Sequence, residues 1–171
     1  MTLSTEPYLQ QLVLWPRDGQ HILAQFDAES VVVYQAYRPN IGHFAARQGY
    51  FGGDFSLGRM SWIKPNFLWM MFRSGWGTKE NQQVTLAVRL RRAFFDEIVA
   101  AAVASSFGAS NFADAGEWKR AVAASEVRLQ WDPDHDPAGA PLPRRAVQLG
   151  LRGQSLAKYA REATLSIRPL A

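Results

Sequence analysis

The stretch from Pro65 to Gly75 sets the tightest limit on how this chain folds. Pro65 suits a first helical turn, Asn66–Ser74 is apolar on nearly every side, and Gly75 supplies a stop. A helix without a polar face must be enclosed by other elements. It is far shorter than the roughly 20 residues that cross a bilayer, so a protein core has to enclose it. The chain has 171 residues, and a domain of about this length buries roughly 70% of its unfolded surface.

The rest of the chain offers mostly strands for that purpose. His21–Phe26 and Ser30–Tyr37 are rich in strand formers and are split by the polar step Asp27-Ala28-Glu29, a hairpin signal. Pro39 opens a helix carrying Ile41, Phe44 and Ala45 at helical spacing, which Gly49 closes. Gly49–Gly58 holds four glycines and reads as a loop. Arg59–Ile63 reads as a short strand with Met60 and Trp62 on one side. Val84–Leu90, Val127–Trp131 and Val147–Leu151 alternate apolar with other residues, which predicts strands, and Ala163–Ile167 adds a last one. Ala93–Phe107, Glu117–Ala124 and Ser155–Arg161 are predicted helices, and Asp132–Pro143, with four prolines, is a predicted loop. The expected architecture is a single α+β domain over residues 1–171. Its sheet is mainly antiparallel, with a buried central helix and flanking helices.

Hydrophobic residues at 47% and charged residues at 20% exclude a disordered chain. There is no cysteine, which removes disulfides, thiolate metal sites and thiol nucleophiles together. Met1–Trp15 contains Glu6 and no basic residue, unlike a signal peptide, so the expected setting is soluble and cytoplasmic. The net charge of +4 is unevenly spread. Arg59–Arg92 has seven basic residues against one acidic, Ala93–Asp136 three against eight, and Pro137–Ala171 six against one. Two basic segments that converge would make a site for phosphate or another anion; apart, they are solvated faces.

The densest chemistry lies between Arg59 and Lys79. Trp62, Trp69 and Trp76 recur seven residues apart, interleaved with Arg59, Lys64, Arg73 and Lys79. Lys64 directly precedes the helix that Pro65 starts, where free backbone N–H groups favour an anion. The functional reading is a phosphate pocket beside aromatic faces that stack on a base. The structural reading is that Trp69 and Phe72 are core and Arg73 complements the helix C-terminus. Gln35, on an apolar strand with Tyr34, Tyr37 and Arg38 around it, either reads the edge of a ligand or is satisfied within the core. Glu80 is a lone acid among cations, a candidate general base or an ion-pair partner. Asp132-Pro133-Asp134-His135-Asp136 alternates acids but has Pro137 and Pro143 where a calcium loop needs glycine and glutamate, so no metal is assigned. On the strand Val147–Leu151, Ala146, Gln148, Gly150 and Arg152 turn away from the core, and the small pair permits close packing.

Four stretches together resemble domain-of-unknown-function family 4291. They are Val33–Tyr37, Arg59–Met71, Arg73–Lys79 and Gln148–Gly153. The likeness covers nearly the whole chain and implies no activity. Ser166-Ile167-Arg168-Pro169-Leu170 departs from the Ile-x-Asp-Ile-Thr ending usual there, which leaves the C-terminal part in any site open. The order of a strand near Tyr34-Gln35, a helix ending at Gly49-Tyr50 and a strand entering a helix also resembles the ADP-ribosyltransferase superfamily. That likeness implies NAD as the cofactor, Gln35 or Arg38 as an NAD contact, and Glu80 or Glu126 as the late acid. The characteristic triad is not cleanly present.

The expectation is an enzyme, a transferase acting on a nucleotide-type or phosphorylated ligand. Arg59, Lys64 and Arg73 or Lys79 would hold the anion, and Tyr34, Gln35 and Trp62 the ring. Catalysis falls to Gln35 and Glu80. The alternatives are an RNA or single-strand binding module using the same surface, and a scaffold whose tryptophan-rich block is core.

Overall fold

The computed structural model describes residues 2–170. Six helices and eight strands follow one another in these residues, as an α+β fold. A short helix α1 (Tyr8–Leu12) and strand β1 (Gly19–Gln20) precede β2 (Ser30–Tyr37), α2 (Pro39–Gln48), β3 (Ser61–Ile63) and α3 (Phe67–Ser74). Then come β4 (Val84–Arg91), α4 (Arg92–Ala101), β5 (Val103–Ala104) and, after a 3-10 turn, α5 (Ala115–Ala124). The chain closes with β6 (Val127–His135), β7 (Pro141–Leu151), α6 (Gly153–Ala160) and β8 (Thr164–Pro169).

Two sheets carry the fold. In the three-stranded sheet β4 lies between β2 and β8, all antiparallel. In the other, β7 is central: its C-terminal half pairs antiparallel with β6 on one side and β3 on the other. Short parallel pairings add β1 to β7 and β5 to β6. The backbones of the two sheets bridge at Tyr34 and Lys64, which exchange hydrogen bonds of 2.7 and 3.1 Å. Alternation decides what each face covers. Val31 and Val33 of β2 join Leu86, Val88, Leu149, Leu151, Phe94, Ile98 and Leu156 in the main core. On the opposite face Val32, Tyr34 and Ala87 pack under Met70 of α3.

Several elements differ from the sequence reading. The first predicted strand survives only as single contacts: the Val32 N–H donates to the Gln25 carbonyl and Phe26 bridges Val31. The long helix from Ala93 stops at Ala101, because Val103 and Ala104 pair with Arg128 and Leu129 instead. Strand pairing there overrides the helix propensity of an alanine-rich run. The predicted loop Asp132–Pro143 is mostly strand. Pro133 falls beside a register shift, and Pro141 and Pro143 open β7, positions where a missing N–H does little harm. Finally, α3 is capped and stopped as expected, by the Asn66 side chain on the Trp69 N–H at 2.9 Å and by left-handed Gly75. It is covered on one side only: Trp69, Met70 and Met71 are buried, while Phe72 is 42% exposed and Phe67 also reaches solvent. No helix among the described residues is long and apolar enough to cross a membrane.

Candidate functional site

Lys64 directly follows β3 and is only 5% exposed. β3 pairs Trp62 with Gly150 and Ile63 with Leu149; one further step of that register sets Lys64 against Gln148. Gln148 pairs with Gln130 across β6, so Tyr34, Lys64, Gln148 and Gln130 form a row across the outer face of both sheets. Asp132, two residues beyond Gln130 on the same face, accepts from the Gln130 amide at 2.9 Å and the Gln148 amide at 2.8 Å. Arg73, exposed in the last turn of α3, acts electrostatically on Lys64.

The electrostatics of Lys64 set this row apart. Burial, reinforced by the positive charge of Arg73 and opposed by Asp132, pushes the ammonium down to about 8. Among the described residues no carboxylate lies within ion-pair distance of Lys64. A buried cation with a second cation beside it and no paired anion favours an incoming anion. Trp62 borders the row, held flat against Gly150: a Cβ there would come 2.7 Å from the Met60 sulfur and 3.0 Å from the Trp62 ring. The small residue on the outward face of β7 thus serves close packing.

The other sequence-predicted residues scatter. Gln35 is 3% exposed on the core face, opposite to Tyr34 across the strand, so the two do not share a ligand ring. Its amide donates to the Trp62 carbonyl at 3.2 Å and its carbonyl accepts from the Tyr159 hydroxyl at 2.5 Å. Tyr37 faces the same interior, its hydroxyl donating to Ser61 at 3.3 Å, and burial raises its phenol well above the ordinary value. Tyr34 is buried and its phenol raised for the same reason. Arg38 precedes α2 without a side-chain capping bond and pairs with Asp54 at 3.7 Å on the surface. Arg59, Lys79 and Glu80 are exposed and make no ion pair among the described residues. Glu126 accepts from the Gln154 and Ser155 N–H groups and caps α6, which lowers its carboxyl.

The two basic segments bring cations together where β4 pairs with β8, at a small cleft lined by Arg89 and Arg168 and away from Lys64. Arg144 is buried against Asp134 at 2.6 Å, Arg152 donates to the Val122, Ala123 and Ser125 carbonyls at the end of α5, and Arg161 lies over the Tyr50 ring. The alternating acids also part company. Asp132 meets the glutamines, Asp134 meets Arg144, and Asp136 accepts from Ala138 and Ala140 in the turn. Among the described residues no group of three His, Asp or Glu is placed to hold a metal ion. Gln130 and Asp132 are absent from the predicted site because the predicted strand ends at Trp131, which puts Asp132 in a loop rather than on one face with Gln130. The alternation of Arg128, Gln130 and Asp132 against Leu129 and Trp131 carries the signal.

No curated protein matches the chain. One family model does, described as Domain of unknown function (DUF4291), over residues 21–171. That span takes in Lys64, Arg73, Gln130, Asp132 and Gln148, the whole of the row just described, and by it the chain belongs to this family.

Proposed function

We propose that this protein binds a nucleotide-type or phosphorylated ligand on the outer face at Lys64 and acts on it as a transferase. The observation that carries the reading is the buried Lys64 ammonium, unpaired and next to Arg73. In this reading Lys64 and Arg73 take the phosphate, and the Trp62 ring flanks the base. Cations fixed in place before the reaction stabilise charge that develops in phosphoryl or glycosyl transfer. Asp132, held by two amides within electrostatic reach of Lys64, is the acid nearest such a ligand. The narrower form is ADP-ribosyl transfer from NAD in the cytoplasm; its support is the order of elements around Tyr34-Gln35 and Gly49-Tyr50.

The test is a tryptophan-fluorescence titration with NAD, ATP and a short single-stranded RNA, on the wild type and Lys64→Met. Saturable quenching by NAD or ATP, lost in the variant while its folding is intact, supports the proposal. Silence with all three ligands would retire it. A second reading rests on a separate observation. Phe67, Phe72 and Trp76, the last 54% exposed, stand beside Arg73 and Lys79, a surface suited to stacking a single strand. A response to RNA alone that weakens steeply with salt favours that module over the enzyme.

A further inference from the structure

We propose that the cleft between β1 and the exit of β5 is a second ligand site, taking a planar heteroaromatic anion of the nucleoside monophosphate class. Its volume is about 530 Å³, inside the range of roughly 300–1,000 Å³ typical of small-molecule sites. Gln20, Arg145, Trp131, Gln130, Ser105 and Ser106 line it. The opening has a structural cause. β5 pairs with β6 only through Val103 and Ala104, so Gln130 and Trp131 stand at an uncovered edge. β1 is equally short, and its last residue, Gln20, opposes Arg145.

Each lining group suits one part of such a ligand. Trp131 packs against the main core and is half-buried, and the part of its indole that lines the cleft offers an aromatic surface to a base. Arg145 is exposed and no carboxylate pairs with it among the described residues, so its guanidinium is available to a phosphate. The Ser105 hydroxyl donates to the Gln130 side-chain carbonyl at 3.4 Å and keeps its lone pairs as acceptors for ribose hydroxyls. The site uses neither Lys64 nor Arg73 and does not depend on the reading given to them.

The experiment is a titration of AMP, with adenosine as the uncharged comparison, followed by the six tryptophan indole N–H signals in nitrogen-15-labelled protein. The Trp131 signal is assigned by Trp131→Phe. The expected result is a saturable shift of the Trp131 signal with AMP, and binding of adenosine about tenfold weaker. Arg145→Ala weakens AMP by about the same factor, as expected for a charge-assisted contact, and Lys64→Met leaves it unchanged. Arg145 is exposed, so unchanged signals from the other tryptophans will show that the variant is folded. The proposal is overturned if AMP moves Trp62 rather than Trp131, if Arg145→Ala binds AMP as the wild type does, or if no indole signal moves.

Discussion

A buried lysine whose ammonium sits near 8 makes a definite thermodynamic statement. The folded state holds its proton less tightly than the unfolded chain, where lysine titrates near 10.4. Between pH 8 and about 10.5 the unfolded chain binds more protons, so stability rises with pH across that window; below it the burden is constant. At pH 7 the charged form costs roughly 3 kcal/mol. Lys64→Met is therefore expected to stabilise the protein by about 1–3 kcal/mol at pH 7 in urea denaturation and to remove the rise above pH 8. A wild-type curve flat through that range would show that the ammonium is solvated or paired. An anion bound at Lys64 demands the protonated form, so ATP affinity on the wild type should weaken above pH 8, read by the same fluorescence titration. Gln35 illustrates the opposite outcome for a polar residue: both ends of its amide are satisfied inside the protein.

Helix ends decide much at the next scale. α3 begins on the Asn66 cap, and the helix lays Met70 on the Tyr34 face and Trp69 and Phe72 around His135, with the Phe72 and His135 rings 3.6 Å apart. Asn66→Ala removes the cap and is expected to lower stability by about 1 kcal/mol; because Arg73 is carried on the same helix, ATP affinity should fall with it. No change in either denaturation midpoint or affinity would mean that tertiary packing alone positions α3. At α6 the capping group is charged. Glu126 holds two N–H groups at the helix start and its carboxyl is lowered, so its contribution is present above the ordinary glutamate range and lost as the pH falls through the lowered value. Glu126→Gln should therefore destabilise at pH 7 by about 0.5–1 kcal/mol and have little effect in strong acid, as measured by thermal melts at both pH values. Equal losses at both would point to packing.

Across the whole molecule two connections hold distant segments together. One is the Tyr34–Lys64 bridge, which joins the two sheets and places the candidate site at their seam. The other is Arg144, which donates to the Pro16 carbonyl at 2.7 Å, lies over the Trp15 ring, and pairs with Asp134 at full burial. Removing one partner leaves a buried charge alone, so Asp134→Asn is expected to cost roughly 3–5 kcal/mol. Hydrogen exchange should locate the loosening at residues 15–20 and the β6–β7 turn. Uniform exchange with unchanged stability would show that the pair contributes nothing to that attachment.

Alternation and punctuation made much of this legible in the linear chain. Val84–Leu90, Val127–Trp131 and Val147–Leu151 are strands with the expected core faces, and α3 starts at its asparagine cap and stops at its glycine. These are local properties, carried by side-chain period and by backbone freedom at a single residue. Pairing partners were not local. Ala102–Ser105 gave up helix for β5 because a strand edge was available on β6, and Pro133 sits in a strand because a register shift tolerates it. The composition of the site followed from the same cause. Lys64 and Arg73 are visible as cations near a helix, but their grouping with Asp132, Gln130 and Gln148 depends on β3, β7 and β6 lying side by side, and that is set by packing between segments distant in the chain.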